Sequence, residues 1–464
     1  VTHAVVSYQP SKALRFSKVL FAFCPTGAYC REDRCQSFFK FELIPSMRAP
    51  LEECEAAGAV SVLGAQHEIV DGPAEKLTET SFLQRVVSSG ADLVCLAVTF
   101  GSLEADLKWA ARIKEILPSL TIGLRGAPCY VWAEKILRTH ASVDFCLEGD
   151  YEVAFASLLQ HGLDGAVGVT SRRAGGLIVR NPPEFVSALD ELPLPDRSRI
   201  KPNLYQVRCL GKPQATVRVQ RGCPFPCSYC LVHTVSGKIA RHRSPESILA
   251  EIRQLLEAGV RHFYFRAETF SLNKKWALAL CALLEREAPQ VRWVTTTRVD
   301  CVDAEVLAAM RAAGCYGVSF GIDTSSELIG RMVSKPPKRD EARAALRVCD
   351  EVGILSLGYF MIGFIWDTPE TLAETRDFIR DVCPDLLTIH FAHPYPGTRY
   401  YEALKSMGAP QVVSLKAQAE PALSLQQLGV SELNAFARQI LREHYFRPKV
   451  WWSLLKKGIR IGVS

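Results

Sequence analysis

The chain has no run of 18 or more uncharged apolar residues, so no segment reads as a membrane-spanning helix. Its first residues, VTHAVVSYQPSKALRFSKVLFAF, carry neither a basic leader nor a small-residue cleavage site, and so give no sign of secretion. Excess charge is also missing. Lys and Arg number 55 against 49 Asp and Glu, and the resulting +6 is too mild to argue for nucleic acid. No internal repeat or low-complexity stretch is present. What the chain does have is length and cysteine. Its 464 residues exceed one ordinary core and predict two or three domains. Its 16 cysteines are scattered, several within apolar strand-like runs such as Cys95 in DLVCLAV and Cys146 in VDFCLEG. A buried free thiol is expected there rather than a disulfide. This usage fits a reducing cytoplasm, which would suit an oxygen-sensitive group.

Residues 1–161 alternate short apolar runs with helical patterns. The strand candidates are SKVLFAF, SVLGAQHEIV, DLVCLAVTF, LTIGLRG and VDFCLEG; LTETSFLQRVVSSG and LEADLKWAARIKEIL read as helices between them. The alternation predicts an α/β domain, a doubly wound Rossmann-like parallel sheet. Its ligand-binding side lies at the carboxyl ends of the strands. Residues 162–213 read as a linker, with a hairpin in GAVGVTSRRAGGLIV followed by a proline-rich stretch. From 214 to 402 a second βα series begins, with strands in ATVRVQ, RHFYFRAE, VRWVTTTR, YGVSFGID, ILSLGYFMIGF and LLTIHFAHP. Six units are too few for an eight-fold barrel and predict an open, partial (β/α)6 barrel. Residues 403–464 read as helical and end in a tail that mixes Lys and Arg with Trp451 and Trp452. Such a tail packs as an amphipathic helix or meets a membrane interface.

The first strand of the second series runs into RGCPFPCSYCLVH. Cys223, Cys227 and Cys230 stand at C-x3-C-x2-C spacing, from which three thiolates can reach three irons of a cubane cluster and leave the fourth iron open. Gly222, Pro224 and Pro226 favour an irregular wrapping loop over a helix. The same cysteines with His233 would also make a zinc set. A further trio, Cys24, Cys30 and Cys35, has a spacing that fits no metal pattern.

The spacing after a first barrel strand, with Phe225 inside the loop and Tyr229 before the last cysteine, resembles the radical S-adenosylmethionine (SAM) superfamily. That resemblance runs from 214 to 402. It implies a [4Fe-4S] cluster on the three cysteines whose free iron chelates SAM, with Phe225 and Tyr229 of the loop among the SAM contacts. FRAETFSLN then gives Glu268 as the partner of the methionine amino group, and VTTTRVD gives Thr297 and Arg298 for ribose and carboxylate. Without the resemblance, Arg298 reads as a partner of Asp300 or Asp303. SFGIDTSSE places Asp323 where the family has Glu, FMIGFIWDTPET places Met361 and Gly363 near the adenine, and HPYPGTRYYE matches the family's closing segment.

The front domain resembles the cobalamin-binding domain that precedes many radical SAM enzymes, those of the class B methyltransferases among them. EGDYE is similar to a segment of that domain, with Asp150 replacing the usual Glu. No histidine occurs from Pro25 to Gln36, and His67 reads as structural, so cobalt without a histidine ligand is expected. Tyr29, Arg31, Gln36, Thr99, Phe100 and Ser102 would line the corrin; Gly126, Ala127, Pro128, Gly149 and Glu152 would flank the nucleotide tail. The resemblance implies a 5′-deoxyadenosyl radical that takes hydrogen from an unactivated carbon of a small or lipid-like metabolite, followed by methyl transfer from methylcobalamin. It also implies an external electron donor such as flavodoxin or ferredoxin, and no nucleic acid. Cyclisation, ring contraction or oxidation with the same cofactors is the competing outcome. A non-catalytic cobalamin or metal sensor is the competing class.

Overall fold

The computed structural model describes residues 8–10, 14–27, 30–31, 36–37, 47–206, 210–409, 419–425 and 427–457. The chain divides into two compact units. The first takes the described residues up to Tyr205 together with Leu231–Gly237; the second takes Gln206–Cys230 and the residues from Lys238 onward.

The first unit is built on β1 (Lys18–Phe23), β2 (Gln66–Asp71), β3 (Leu93–Ala97), β4 (Thr121–Arg125), β5 (Phe145–Leu147), β6 (Val169–Arg172) and β7 (Ile178–Arg180). They form one sheet in the order β2-β1-β3-β4-β5-β6-β7. The first five strands are parallel, and the last two are antiparallel additions at the edge. Strand order reverses between β1 and β3. Alternate residues of β1 feed two cores: Val19 and Phe21 pack with Ala57, Val60 and Phe155, while Leu20 and Ala22 pack with Phe82, Leu107 and Ile136. Helices therefore cover both faces, as the period-2 burial of a doubly wound sheet requires.

Two details differ from the sequence reading. The run SVLGAQHEIV is not one strand: Ser61 and Val62 close helix α1 (Leu51–Val62), and β2 starts only at Gln66. Ten of the twelve residues of α1 are buried, Glu52, Glu53 and Glu55 among them, so no regular alternation of exposed polar and buried apolar positions betrays a helix. The hairpin expected in the 162–213 stretch forms as β6 and β7, and it is hydrogen-bonded to β5 as part of the first sheet. The proline-rich segment after it is tied down as well. Asp196 donates its backbone N–H to the Cys54 carbonyl at 2.8 Å and accepts from Ser61 Oγ at 2.7 Å. His67 Nδ1 lies 3.2 Å from the same Ser61 hydroxyl.

The second unit contains β8 (Gln214–Arg218), the short ribbon β9 (Gln220–Arg221) with β10 (Arg241–His242), β11 (His262–Arg266), β12 (Arg292–Thr297), β13 (Cys315–Asp323), β14 (Leu355–Ile362) and β15 (Leu386–Phe391). Its six-stranded sheet runs β8-β11-β12-β13-β14-β15 with every neighbour parallel, and β8 and β15 do not pair with each other. This is the open six-fold barrel expected. One side of each strand meets the helices: Val217, Phe265, Trp293, Phe320, Phe360 and Ile389 share one core. On the other side Tyr264, Thr296, Ser319, Tyr359 and His390 stay only half-buried. The lumen is thus not filled by its own wall, unlike the packed interior of a closed eight-fold barrel.

Among the described residues three helices follow the barrel: α2 (Arg399–Ser406), α3 (Val430–Tyr445) and α4 (Pro448–Lys456). In α4, Val450 and Leu454 pack on Leu355 and Leu386, at the amino ends of β14 and β15. Lys457 reaches Asp385 and Asp350 at 2.5 Å each. Trp452 and Leu455 on the other face are 72% and 73% exposed. Among the described residues no helix is long and apolar enough to cross a membrane.

Candidate cluster and cofactor site

The three-cysteine loop leaves β8 and β9 at their carboxyl ends. Gly222 turns the chain with φ +79°, which a side chain resists, and Pro224 and Pro226 keep the next residues out of a helix. Cys223, Cys227 and Cys230 form no disulfide and are half-buried. Distant segments pin the loop. Ser228 donates its N–H to the Val333 carbonyl at 2.8 Å, and its carbonyl accepts from Tyr400 N–H at 2.9 Å. The Arg399 guanidinium donates to the Pro226 carbonyl. Burial pushes the Cys223 thiol up, and the nearby Glu268 carboxylate adds to this. Burial also raises Cys227, while the Lys335 ammonium opposes the rise. Metal binding must displace those protons. Among the described residues no three His, Cys, Asp or Glu side chains converge on a single ion. A cubane asks for no such convergence, because each thiolate takes its own iron.

Side chains from four further strand ends surround the loop. The Tyr229 hydroxyl donates to the Asp323 carboxylate, which also takes the Lys335 ammonium; Lys335 donates in addition to the Gly321 carbonyl at 2.9 Å. Asp323 sits at φ +63°, a conformation held by these two partners. Arg298 makes a two-pronged bond to Asp300 at 2.8 and 2.7 Å and lies 3.8 Å over the Phe225 ring. It is therefore both a partner of Asp300 and a brace on the loop. Thr297 Oγ1 is 2.7 Å from Ser271 Oγ. Met361 packs in one apolar cluster with Tyr229 and Phe364. Gly363 turns at φ +81° beyond β14, and Asp367 accepts from the next backbone N–H, that of Phe364, at 2.9 Å.

In the first unit the residues read from the sequence also lie at carboxyl strand ends. Thr99 and Ser102 follow β3 and bond reciprocally, Thr99 N–H to Ser102 Oγ at 3.0 Å and Ser102 N–H to Thr99 Oγ1 at 3.2 Å. Phe100 between them packs edge-on against Trp132, 5.0 Å between centroids. Gly126 follows β4 at φ +127°, and a Cβ there would stand 2.0 Å from the Val98 carbonyl oxygen. Ala127 and Pro128 then open the helix Ala127–Thr139. Gly149 follows β5 at φ +89°; its N–H donates to the Tyr130 hydroxyl at 2.9 Å. Glu152 is buried on the next helix. Arg31 and Gln36 are backbone partners in a two-residue ribbon. Tyr29 and Cys35 lie outside the described residues.

Compared with known proteins, residues 217–379 match the model of the radical SAM superfamily. That match takes in the three-cysteine loop and the barrel strands from the end of β8 to β14. The barrel is a radical SAM domain. The chain is 26% identical to an uncharacterised methyltransferase of Pyrococcus horikoshii over 84% of this chain and 87% of that protein. It is 25% identical to the anaerobic magnesium-protoporphyrin IX monomethyl ester cyclase of Cereibacter sphaeroides, over 75% of this chain and 59% of the cyclase. Among solved structures it resembles the radical SAM methyltransferase TsrM of Kitasatospora setae, with a TM-score of 0.67, 17% identity, and 85% and 77% of the two chains covered. That protein has been solved with tryptophan and a SAM analogue, and with cobalamin and a [4Fe-4S] cluster. At this identity the likeness establishes the fold.

Several residues of the radical SAM domain were not singled out in the sequence. Lys335 lies 12 positions after Asp323, in a segment with no motif of its own. Val333, Arg399 and Tyr400 hold the cysteine loop from afar, two of them through backbone atoms, which leave no mark on residue type. In the first unit, Arg125 at the end of β4 pairs with Glu53, both buried, and lies over the Phe23 and Tyr151 rings at 5.6 and 5.4 Å. The signal was an acidic cluster in an otherwise apolar helix.

Proposed function

We propose that the chain is a cobalamin-dependent radical SAM enzyme that methylates an unactivated carbon of a small molecule. The carrying observation is the loop of three half-buried thiols, pinned by Val333 and Tyr400 at the carboxyl end of an open parallel barrel. The donor set fits a [4Fe-4S] cluster: three thiols at C-x3-C-x2-C spacing on one irregular loop. Cys223, Cys227 and Cys230 would hold it, and with SAM on its open iron it supplies one-electron cleavage of a carbon–sulfur bond. Phe225, Tyr229, Glu268, Thr297, Arg298, Asp323, Met361 and Gly363 would hold SAM. Lys335 fixes Asp323, and Asp323 fixes Tyr229, so the ring beside the last cysteine is held before any cofactor arrives.

For cobalamin, the support is the order reversal between β1 and β3, which opens a crevice at the carboxyl ends. Thr99, Phe100 and Ser102 stand there, and Gly126 follows the neighbouring strand β4. Tyr29, Arg31, Gln36, Ala127, Pro128, Gly149 and Glu152 complete the proposed contacts. A flavodoxin- or ferredoxin-like donor would supply the electron. Cyclisation or oxidation without methyl transfer is the second reading, favoured by the likeness to the cyclase. Anaerobic turnover with methyl-deuterated SAM on extract of a strain lacking this protein separates the two. Deuterium in a new product is expected. A product without label would replace methylation, and absence of 5′-deoxyadenosine would remove the enzyme reading.

The exposed face of α4 carries Trp451, Trp452 and Leu455 beside Lys449 and Lys456. This composition suits the surface of an anionic bilayer, and the reading includes peripheral contact there.

A further inference from the structure

Beside the cysteine loop lies a buried hydrogen-bond donor that the fold does not use. Gln220 stands in β9, three residues before Cys223, and is completely buried. Its carboxamide oxygen accepts from the Thr269 N–H at 2.9 Å. Only an oxygen can accept there, so chemistry fixes the orientation of the amide and gives Nε2 the other prong of the fork. That nitrogen is closed off from solvent and, among the described residues, has no acceptor. A buried amide donor left unpaired raises the free energy of a fold, and such groups are rare without a reason. The position of Gln220 supplies one. Thr269 is buried too, and its hydroxyl donates to the Cys223 thiol. One residue thus holds the Gln220 carboxamide through its backbone and Cys223 through its side chain, which makes amide and thiol neighbours. Phe225 gives Cys223 a second donor, a backbone N–H. With Cys223 already served by these two, the Nε2 protons are left for a sulfur that arrives with the iron. The Glu268 carboxylate acts on the same place and makes it electronegative. An electron added there is disfavoured unless donors face it.

We propose that Gln220 donates an Nε2–H to a sulfur of the cluster beside Cys223 and so sets how easily the cluster is reduced. A donor at sulfur favours the state that carries the extra electron and raises the reduction potential. Thr269 positions Gln220 for this role by holding the amide oxygen. The electron itself comes from the flavodoxin- or ferredoxin-like donor, and no covalent bond of the protein changes. The inference rests on the cluster in the functional reading above and goes beyond it by naming the residue that tunes it.

The test uses the full chain with its cluster reconstituted anaerobically and no SAM added. Titration with titanium(III) citrate, each titanium giving one electron, is followed by the electron paramagnetic resonance (EPR) signal of the reduced cluster. Gln220→Met keeps the length of the side chain and removes the donor. Its reduction equilibrium should be about tenfold less favourable, a fall of about 59 mV for one electron. Gln220→Glu keeps the acceptor for Thr269 but sets an oxygen where the donor stood, and should shift the potential down at least as far. Iron content and circular dichroism of both variants should match the unaltered chain. In chain labelled with nitrogen-15 at its glutamine side-chain amides, pulsed EPR should find a nitrogen coupled to the reduced cluster, and Gln220→Met should lose it. An unmoved potential in an iron-replete methionine variant, or no such coupling in the unaltered chain, overturns the proposal. A water standing between amide and cluster gives the second result. An amide that serves SAM instead gives the first, with SAM affinity altered and the potential the same. If the methionine variant takes up no iron, Gln220→Glu and the coupling decide. An unaltered chain that takes up no cluster removes the functional reading and this inference with it, a result distinct from a normal cluster whose potential does not move.

Discussion

Individual residues carry the chemistry, and here their protonation is set mainly by burial. His390, His393 and His444 are each held at about 4 by desolvation, well below the ordinary value of 6.5. Asp367 is pushed up from 3.8 to about 6 for the same reason. The consequences for stability have opposite signs. As pH falls from 6.5 to 4, the unfolded chain takes up protons on three histidines that the folded chain refuses, so stability is lost. Over 6 to 4 the folded chain takes up a proton on Asp367 that the unfolded chain does not, so some is regained. Three groups outweigh one, and the thermal midpoint should fall on acidification through this window. Asp367→Asn should steepen that fall, because it removes the compensating carboxyl. A scan of melting temperature against pH for both proteins checks this. A second residue-scale expectation concerns Tyr229. Tyr229→Phe removes the hydroxyl held by Asp323 and should cost about 1–3 kcal/mol in stability, measured by denaturant unfolding. The loss is expected because the carboxylate beside it is itself buried.

At the scale of elements, strand ends and helix starts decide where ligands can approach. Gly126 closes β4 where a Cβ would collide with the Val98 carbonyl and where φ is +127°. Gly126→Ala should therefore cost about 3 kcal/mol or more and reduce cobalamin retention, read by thermal unfolding and by absorbance after gel filtration. Helix α4 separates into two faces with different expected outcomes. Leu454→Ala opens a gap over Leu355 and Leu386 and should cost about 2–4 kcal/mol. Trp452→Ser with Leu455→Ser touches only exposed positions and should leave stability within about 0.5 kcal/mol. The same pair should lower recovery with vesicles containing anionic lipid in a flotation assay; unchanged recovery would remove the bilayer reading.

For the whole molecule, the cysteine loop is held by protein bonds to Val333, Tyr400 and Arg399 rather than by metal alone. Stripping iron with a chelator under anaerobic conditions should therefore leave far-ultraviolet circular dichroism essentially unchanged while the cluster absorbance disappears. Wholesale loss of helix signal would show that the cluster, and not these contacts, organises the barrel. Cys227→Ala should reproduce the chelated state, with little bound iron and a folded chain.

The sequence alone determined the two βα series, the open six-fold barrel and the three-cysteine loop. Each rests on signals local to the chain: apolar strands at regular spacing, Gly and Pro where the backbone must turn, and thiols within eight residues of one another. It also placed the residues of Thr99–Ser102 and Gly126 at strand ends. It did not disclose α1, because a helix buried nearly all round shows no regular alternation of exposed polar and buried apolar positions. Nor did it show that the 166–180 hairpin completes the first sheet, since pairing with β5 is a contact distant in sequence. The same limit hid Lys335 behind Asp323 and the hold of Tyr400 on Ser228. Those arrangements depend on which strands become neighbours and which face each residue takes. That is settled only when the barrel packs its helix-side core.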